Sequence, residues 1–388
     1  MSNKNQHFVS QTYLRGFGVR HATGERKSIN LFAIGPRKVV EGASIKKQCS
    51  SDYFYGRDDG VEDLLQFFEG RYGAAMASLK RGKLQEEEVE ALMQFLFLQS
   101  LRTASQLQER LRVIGEFAKL EIGGKRVREH LPAPDKTREM QHQLYIFAKE
   151  HSVVADLSPV LLINRTRVPF VTSDNPSMFI NKLYSQRYGD PTSGLIQSGG
   201  IACMPLTPRI SLLAYDPDVY QPIGADSGFV IRRDSDIDRL NELQVIRASG
   251  ALYFQDPGDA EYVRRLFERY ESGRKAEWNV TRVFIRSGED DDFEHFRRIR
   301  PEDELSLEPR LQTVSTIHPA PSVWPTFIKI RMRPKGWTNG SAVGFVREAH
   351  THRARGFRQQ VLPDRLPREQ VLREVLYERK QRHPAAPR

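Results

Sequence analysis

The sequence has little of what marks secreted, membrane-spanning or zinc-binding proteins. Its 388 residues include only two cysteines, Cys49 and Cys203, which excludes a disulfide scaffold and a cysteine-rich zinc module. No stretch approaches the ~18 apolar residues of a membrane-spanning helix. The first residues also lack the apolar core of a secretory signal. We therefore expect a cytoplasmic protein with no membrane partner.

Motifs for the common catalytic chemistries are missing as well. The sequence has no phosphate-binding glycine loop, no GxGxxG motif, no nucleophile elbow and no HExxH zinc motif. We predict no metal site, and the cofactor stays unknown. The composition is compatible with an enzyme and with a non-enzymatic module.

Positive charge is concentrated at the C-terminal end of the chain. The whole chain carries a formal net charge of +10, and residues 331–388 hold 14 basic and 5 acidic side chains, a net of +9. The preceding residues are therefore close to neutral. This asymmetry indicates either a basic appendage that binds nucleic acid or a solvated tail that aids solubility.

Within this basic region, residues 327–333 alternate apolar and basic side chains, which predicts a strand with one basic face. Charges on that face would lie ~6.6–6.8 Å apart, about two phosphate steps along one DNA strand. The alternative is a sheet edge that is charged to block aggregation. The side chains expected to contact nucleic acid are Lys329, Arg331, Arg333, Lys335, Arg353, Arg355 and Arg358.

Hydrophobic periodicity predicts helices in the first third of the chain and strands after it. Helical spacing covers residues 61–79, a long segment from 86 to about 122, and a third segment that Asp135 can cap. Buried-type strands follow between residues 159 and 214. We predict an α+β fold, with a helical half packed on a mixed or antiparallel sheet and a smaller mixed C-terminal region.

The same signals divide the chain into three parts. Residues 1–256 are predicted to form the α+β core. Residues 257–325 form a mixed charged segment that ends in a Pro-rich linker. Residues 326–388 form the basic C-terminal region, with a strand at 327–333 and a helix at 368–380.

Two segments that lie far apart in the sequence carry a shared resemblance. The first is His7-Phe-Val-Ser-Gln11-Thr-Tyr-Leu14, and the second is Phe170-Val-Thr-Ser-Asp174-Asn175-Pro176. Together with Arg102-Thr103, they resemble the bacterial domain of unknown function 4238 family over about residues 3–256. Ser10 stands where that family usually has proline. The resemblance implies a bacterial protein and carries no function.

Asp174 directly follows a predicted buried strand. A carboxylate at this position either closes the strand as an Asx-turn or projects from its end as a metal ligand or general base. His7 is either a packing residue or a proton carrier, because histidine titrates near neutrality. We nominate Asp174 as the partner of His7.

Arg102 lies on an apolar helix face and must be paired if it is buried. It can form a structural ion pair with Glu62 or Glu69, or it can clamp a phosphate or carboxylate. The sequence thus nominates His7, Arg102 and Asp174 as catalytic residues.

Gln11 and Asn175 are nominated as substrate-binding residues beside them. The leading hypothesis is a protein that binds or acts on nucleic acid, with a hydrolase or nuclease centre. The alternative is a non-enzymatic protein-interaction module with a solvated basic tail.

Overall fold

The computed structural model describes most of the chain. The described residues are 4–20, 24, 26–57, 59–119, 121–122, 125–126, 135–188, 193–224, 228–289, 293–298, 310–341, 343–365 and 374–378.

The helices fall mainly in the N-terminal part and between residues 234 and 270. They are α1 (Gln11–Leu14), α2 (Asp59–Lys80), α3 (Glu86–Leu101), α4 (Ala104–Lys119), α5 (Lys136–Glu150), α6 (Asp234–Arg247) and α7 (Ala260–Tyr270). The side chain of Asp135 accepts a hydrogen bond from the Arg138 N–H, which confirms the predicted cap of α5.

The strands are spread along the whole described chain. They are β1 (Asn5–His7), β2 (Ser28–Ala33), β3 (Lys38–Ser44), β4 (Ser50–Asp52), β5 (Glu121–Ile122), β6 (Lys125–Arg126), β7 (Ser158–Asn164), β8 (Thr172–Ser173), β9 (Met178–Ile180), β10 (Ile201–Thr207), β11 (Ile210–Tyr215), β12 (Phe229–Ile231), β13 (Ala251–Phe254), β14 (Asn279–Glu289), β15 (Phe293–Arg298), β16 (Arg310–Thr316), β17 (Lys335–Thr338), β18 (Arg358–Val361) and β19 (Glu374–Glu378).

A mixed five-stranded sheet lies at the centre, in the order β12-β7-β11-β10-β9. Only the β12–β7 pair is parallel among its neighbours, and the other pairs are antiparallel. Two antiparallel sheets of four strands have the orders β3-β2-β13-β8 and β16-β14-β15-β19. These elements confirm the predicted α+β fold with a mixed sheet.

The two faces of the central sheet pack against different partners. From β10, Ala202, Met204 and Leu206 join the core that helices α2, α3 and α5 share. Ile201 and Cys203, which alternate with them, face a second core that contains α6. The sheet therefore separates the helical half from α6 and the C-terminal segment.

The long helix predicted from residue 86 to about 122 is wrong, because the structure divides it into α3 and α4. Arg102 ends α3, and the Thr103 hydroxyl accepts the Gln106 N–H at 3.4 Å at the start of α4. The break turns the Arg102 side chain inward, where it is 1% exposed.

The strand predicted at residues 327–333 is also wrong. In the predicted strand, Ile328 and Met332 would face the same side. Instead, Ile328 is buried and Met332 is 94% exposed. The backbone here pairs irregularly, with a single bridge between Ile330 and Tyr220. The described part of the predicted C-terminal helix, Glu374–Glu378, is strand β19, and the rest of that prediction lies outside the described residues.

The segment after residue 317 packs closely on the core. Trp324, Ile328 and Leu362 are buried in the cluster that contains α6 and the central sheet. Arg347 is 3% exposed and forms an ion pair with Asp156 at 2.6 Å. The predicted domain boundaries stay predictions. Within the described ranges, no helix is both long and apolar enough to cross a bilayer.

Candidate functional site

Arg102 is fully engaged by protein partners. Its Nη1 binds the Glu69 carboxylate at 2.7 Å, its Nε donates to the Tyr55 hydroxyl at 3.0 Å, and its Nη2 donates to the His7 carbonyl oxygen at 2.5 Å. Arg102 was predicted either to form a structural ion pair or to clamp a phosphate or carboxylate, and the geometry supports the structural ion pair with Glu69. Arg102 thus fixes the N-terminal arm to α2 and α3.

The His7 ring lies against the backbone of the β3–β4 connection. Its Nε2 is 3.1 Å from the Lys46 carbonyl oxygen. Burial lowers the pKa of His7, since the charged imidazolium is less well solvated there. The ring is therefore neutral at pH 7 and donates to a carbonyl.

Asp174 and Asn175 hold the chain just beyond the end of α6. The two carboxylate oxygens of Asp174 accept the N–H groups of Ser249 at 2.8 Å and Gly250 at 2.6 Å. Asn175 Nδ2 donates to the Arg247 carbonyl oxygen at 2.9 Å. Burial raises the pKa of Asp174, against the stabilising effect of these N–H donors. The motif after β8 is thus a clamp on the C-terminal end of α6.

The nominated catalytic residues fall into two networks. His7 and Arg102 are joined directly, but no hydrogen bond or ion pair within the described residues links either of them to Asp174. Gln11 begins α1, where its carbonyl oxygen accepts the Arg15 N–H. The catalytic roles of His7, Arg102 and Asp174 and the substrate-binding roles of Gln11 and Asn175 stay predictions.

The basic C-terminal residues are mostly exposed. Arg331 Nε donates to the Pro217 carbonyl oxygen at 2.7 Å, and Arg353 Nη2 binds the Glu150 carboxylate at 2.5 Å. Six of the seven are exposed: Lys329, Arg333, Lys335, Arg353, Arg355 and Arg358. Residues 329–335 run beside residues 217–221, which follow the C-terminal end of β11.

Five exposed arginines lie at the opposite end of the central sheet. They come from the turn after β7, the turn before β11 and the turn after β12. None of them forms an ion pair with a residue in the described part of the chain. We call this group the arginine edge: Arg165, Arg167, Arg209, Arg232 and Arg233.

Sheet register brings these turns together. Ile231, the last residue of β12, pairs with Asn164, the last residue of β7. Ile210, the first residue of β11, pairs with Ile163. The Arg165 N–H donates to the Ile231 carbonyl oxygen at 3.0 Å, which ties two of the turns to each other.

Two carboxylates border the arginine edge. Asp234 accepts the Arg167 backbone N–H at 3.3 Å, and Asp259 lies within electrostatic reach of Arg209. Arg209 Nη1 is held by the Thr166 carbonyl oxygen at 2.7 Å. The edge has five guanidinium groups and two neighbouring carboxylates, so its net charge is positive.

The sequence prediction missed the arginine edge, because its members lie in three separate turns. The Arg165-Thr-Arg167 and Arg232-Arg233 runs each follow an apolar strand, and Arg209 precedes one. Basic residues at successive strand ends were therefore the available signal. Charge totals over long segments hid it, since the first 330 residues are nearly neutral as a whole.

Comparison with known proteins gives one finding. A family model with the description "Protein of unknown function (DUF4238)" matches residues 5–258. That span contains both networks and the arginine edge, and it confirms the resemblance drawn from the His7 and Asp174 segments. No curated protein and no solved structure matches the chain significantly.

Proposed function

The chain belongs to the DUF4238 family, and because its description assigns no activity, we propose from the geometry that the protein binds nucleic acid through the arginine edge. The observation that carries this proposal is the cluster of five exposed arginines at one end of the central sheet, none of which forms an ion pair with a described residue.

Arginine suits this role because its planar guanidinium binds phosphate oxygens through two parallel hydrogen bonds. An arginine that already forms an ion pair must give up a carboxylate before it can bind phosphate. The arginine edge lacks that cost, since its members make no such pair with described residues. Their exposure also leaves them accessible to a ligand as large as a nucleic acid.

The spacing of the edge matches a phosphate backbone. Neighbouring strands lie ~4.7–4.9 Å apart, and β12, β7 and β11 are consecutive in the sheet. Their ends therefore span ~10 Å, which is about the axial rise of three phosphate steps of B-DNA at ~3.4 Å each. Contacts to phosphates carry no base information. We expect weak sequence preference and strong salt dependence.

The proposal is for binding rather than for cleavage of the nucleic acid. The side chains nominated as catalytic all have structural hydrogen bonds: His7 to Lys46, Arg102 to Glu69 and Asp174 to Gly250. The arginine edge itself contains no nucleophile and no histidine.

The test is a comparison of affinities for a fluorescently labelled DNA duplex and a labelled single-stranded RNA. The edge variant removes one arginine from each of the three turns, with the substitutions Arg165→Gln, Arg209→Gln and Arg232→Gln. We expect its affinity to fall about tenfold or more at low salt, because each lost contact reduces counterion release.

Two further triple variants control for the loss of three charges. The hairpin variant removes one exposed lysine of β3 and two of the β3–β4 connection, with Lys38→Gln, Lys46→Gln and Lys47→Gln, and it should bind like the wild type. The C-terminal variant carries Lys329→Gln, Arg333→Gln and Lys335→Gln and tests the location predicted from charge asymmetry.

A loss confined to the C-terminal variant would move the binding element away from the arginine edge and overturn the proposal. Wild-type protein that binds neither nucleic acid would favour the alternative, a non-enzymatic protein-interaction module.

A further inference from the structure

A second positively charged site lies in a cleft away from the end of the sheet. One face of α4 forms one wall, the end of α6 forms the second, and the segment before β14 forms the third. The cleft volume is about 430 Å³, which is within the range of small-molecule sites. Its charged side chains are Glu109, Arg112, Arg247, Arg274 and Lys275.

Arg247 is the central group of this cleft. It is only 9% exposed, and its buried Nη1 has no hydrogen-bond partner among the described residues. Its guanidinium lies 4.4 Å from the centre of the Trp278 ring. Burial lowers the pKa of Arg247 to about 10, so the group is still charged at pH 7. A buried cation without an ion pair is costly, and an anion in the cleft would remove that cost.

The neighbouring cations differ in how far they are neutralised. Arg112 forms ion pairs with three glutamates, Glu109, Glu116 and Glu277. Arg274, by contrast, donates to two backbone carbonyl oxygens, and its buried Nε has no partner in the part of the chain that the structure describes. Lys275 is exposed at the rim and has no ion pair with a described residue. Arg247, Arg274 and Lys275 thus form no ion pair with a described residue, although the Glu109 charge acts on Arg247 and the Asp174 charge acts on Arg274 from a greater distance.

The Glu109 carboxylate in the lining of the cleft already accepts hydrogen bonds from protein groups. Glu109 Oε2 accepts hydrogen bonds from Arg112 and from Asn279 Nδ2, both at 3.1 Å. Its charge acts on Arg247 without contacting it directly. The first turn of α4 also faces the cleft through Ser105, and the positive end of a helix favours an anion.

The wall formed by the end of α6 is held rigidly. The carbonyl oxygens at this end of the helix would repel an anion, but they accept hydrogen bonds from protein donors. Asn175 Nδ2 binds the Arg247 carbonyl oxygen, and Arg274 Nη2 binds those of Ala248 and Ser249. Asp174 binds the N–H of Ser249 from behind. The motif after β8 thus preorganises the cleft.

We propose that this cleft binds the phosphate group of a small phosphorylated molecule between Arg247, Arg274 and Lys275. Arg247 and Arg274 each have a buried nitrogen that no described residue pairs, and Lys275 adds a charge at the entrance. The Trp278 ring is 6% exposed and is covered by Arg247, so it is not available to stack on a base. This favours a compact phosphate over a strand of nucleic acid.

The test uses inorganic phosphate as the probe, with sodium chloride at the same ionic strength as the control. The wild-type melting temperature should rise with phosphate and not with chloride, because a ligand of the folded state stabilises it. Titration calorimetry then gives the affinity. No phosphate-specific rise in the wild type would overturn the proposal.

Arg247→Met gives a signature that a purely structural role would not. Replacing an unpaired buried charge with an apolar side chain should raise the melting temperature without phosphate, and it should remove the phosphate-dependent rise. If Arg247 served only to pack on Trp278, the variant would melt lower and keep that rise, which would contradict the proposal.

Lys275→Gln is the second variant, because an exposed rim residue can be changed without affecting folding. It should weaken phosphate binding about tenfold or more, as expected for a lost charged hydrogen bond. Arg265→Gln, at an exposed position on α7, is the matched control and should bind like the wild type.

A competition assay distinguishes a small ligand from the backbone of a nucleic acid. Phosphate should displace labelled nucleic acid no better than chloride at equal ionic strength, and Arg247→Met should leave nucleic-acid affinity unchanged. Specific displacement together with loss of nucleic-acid binding in that variant would overturn the small-ligand assignment. The edge variant should keep its phosphate response, so this proposal can fail separately from the nucleic-acid proposal.

Discussion

The carboxylate of Asp174 accepts a 2.6 Å hydrogen bond from the backbone N–H of Gly250. The two residues are 76 positions apart in the sequence, one just after strand β8 and the other just after helix α6. A side chain at position 250 would place its Cβ 3.3 Å from the Asp174 Oδ2. Close approach of backbone to carboxylate therefore favours glycine here.

Asp174→Asn should destabilise the protein by about 1–3 kcal/mol. The amide can accept one backbone N–H, but its NH₂ group faces the other donor, which loses its partner. The variant should also weaken phosphate binding, because Arg274 binds the Ala248 and Ser249 carbonyl oxygens of the same turn. Urea denaturation and phosphate titration measure the two effects.

Asp63→Asn is the control for this prediction. Asp63 is exposed on α2, and a surface substitution of this kind usually changes stability by less than ~0.5 kcal/mol. Equal urea midpoints for the two variants would show that Asp174 does not hold the turn.

Arg102→Ala should cost about 3–5 kcal/mol of stability, because it removes the buried member of an ion pair and leaves the half-buried Glu69 without its cation. The Glu69 carboxylate and the His7 carbonyl oxygen would both lose a donor. Arg110→Ala is the matched control, since its ion pair with Glu139 is partly exposed and should cost less than ~1 kcal/mol. An unchanged melting temperature in Arg102→Ala would contradict the structural role.

The ion pair between Asp156 and Arg347 should make the docked C-terminal segment sensitive to acid. Burial alone would raise the pKa of Asp156, but His350 and Arg347 outweigh it and lower the pKa to about 2. A lowered carboxyl pKa stabilises the fold above pH ~4, and this stability is lost as the pH falls from ~4 to ~2. The contribution is up to ~2.5 kcal/mol at ~1.36 kcal/mol per pH unit.

The measurement compares wild type with Asp156→Asn in urea at several pH values. The stability difference should be largest at neutral pH and should shrink as the pH falls below ~4. Burial raises the pKa of Asp216 to about 6, so Asp216 affects the pH dependence of stability with the opposite sign. Because Asp216 is present in both proteins, the measurement uses the difference between their stabilities. A difference that does not vary with pH would contradict the prediction.

Elements that depend on local signals were predictable from the sequence. The β2–β3 hairpin turns at a Gly35-Pro36 pair, and α5 begins at its Asp135 cap. The break between α3 and α4 was not predictable in this way. It depends on Glu69 and Tyr55, which bind Arg102 from 33 and 47 residues away.

Contacts between distant segments also determine the structure of the C-terminal region and of the candidate site. The alternation at residues 327–333 predicted a strand, but the Tyr220 and Val219 backbones pair with this segment at isolated points only. The arginine edge required the register of β7, β11 and β12, and β12 is a strand of three residues. β12 has no distinct sequence pattern, and its parallel pairing with the predicted strand β7 cannot be read from the sequence.

The salt dependence of duplex DNA binding is the sharpest test of binding through the arginine edge. If the five members of the arginine edge each neutralise one phosphate, the slope of log K against log salt should be about −4.5, from ~0.9 per contact. The edge variant, which keeps two of these arginines, should give about −1.8. The hairpin and C-terminal variants should keep the wild-type slope. An edge variant with the wild-type slope would contradict the account.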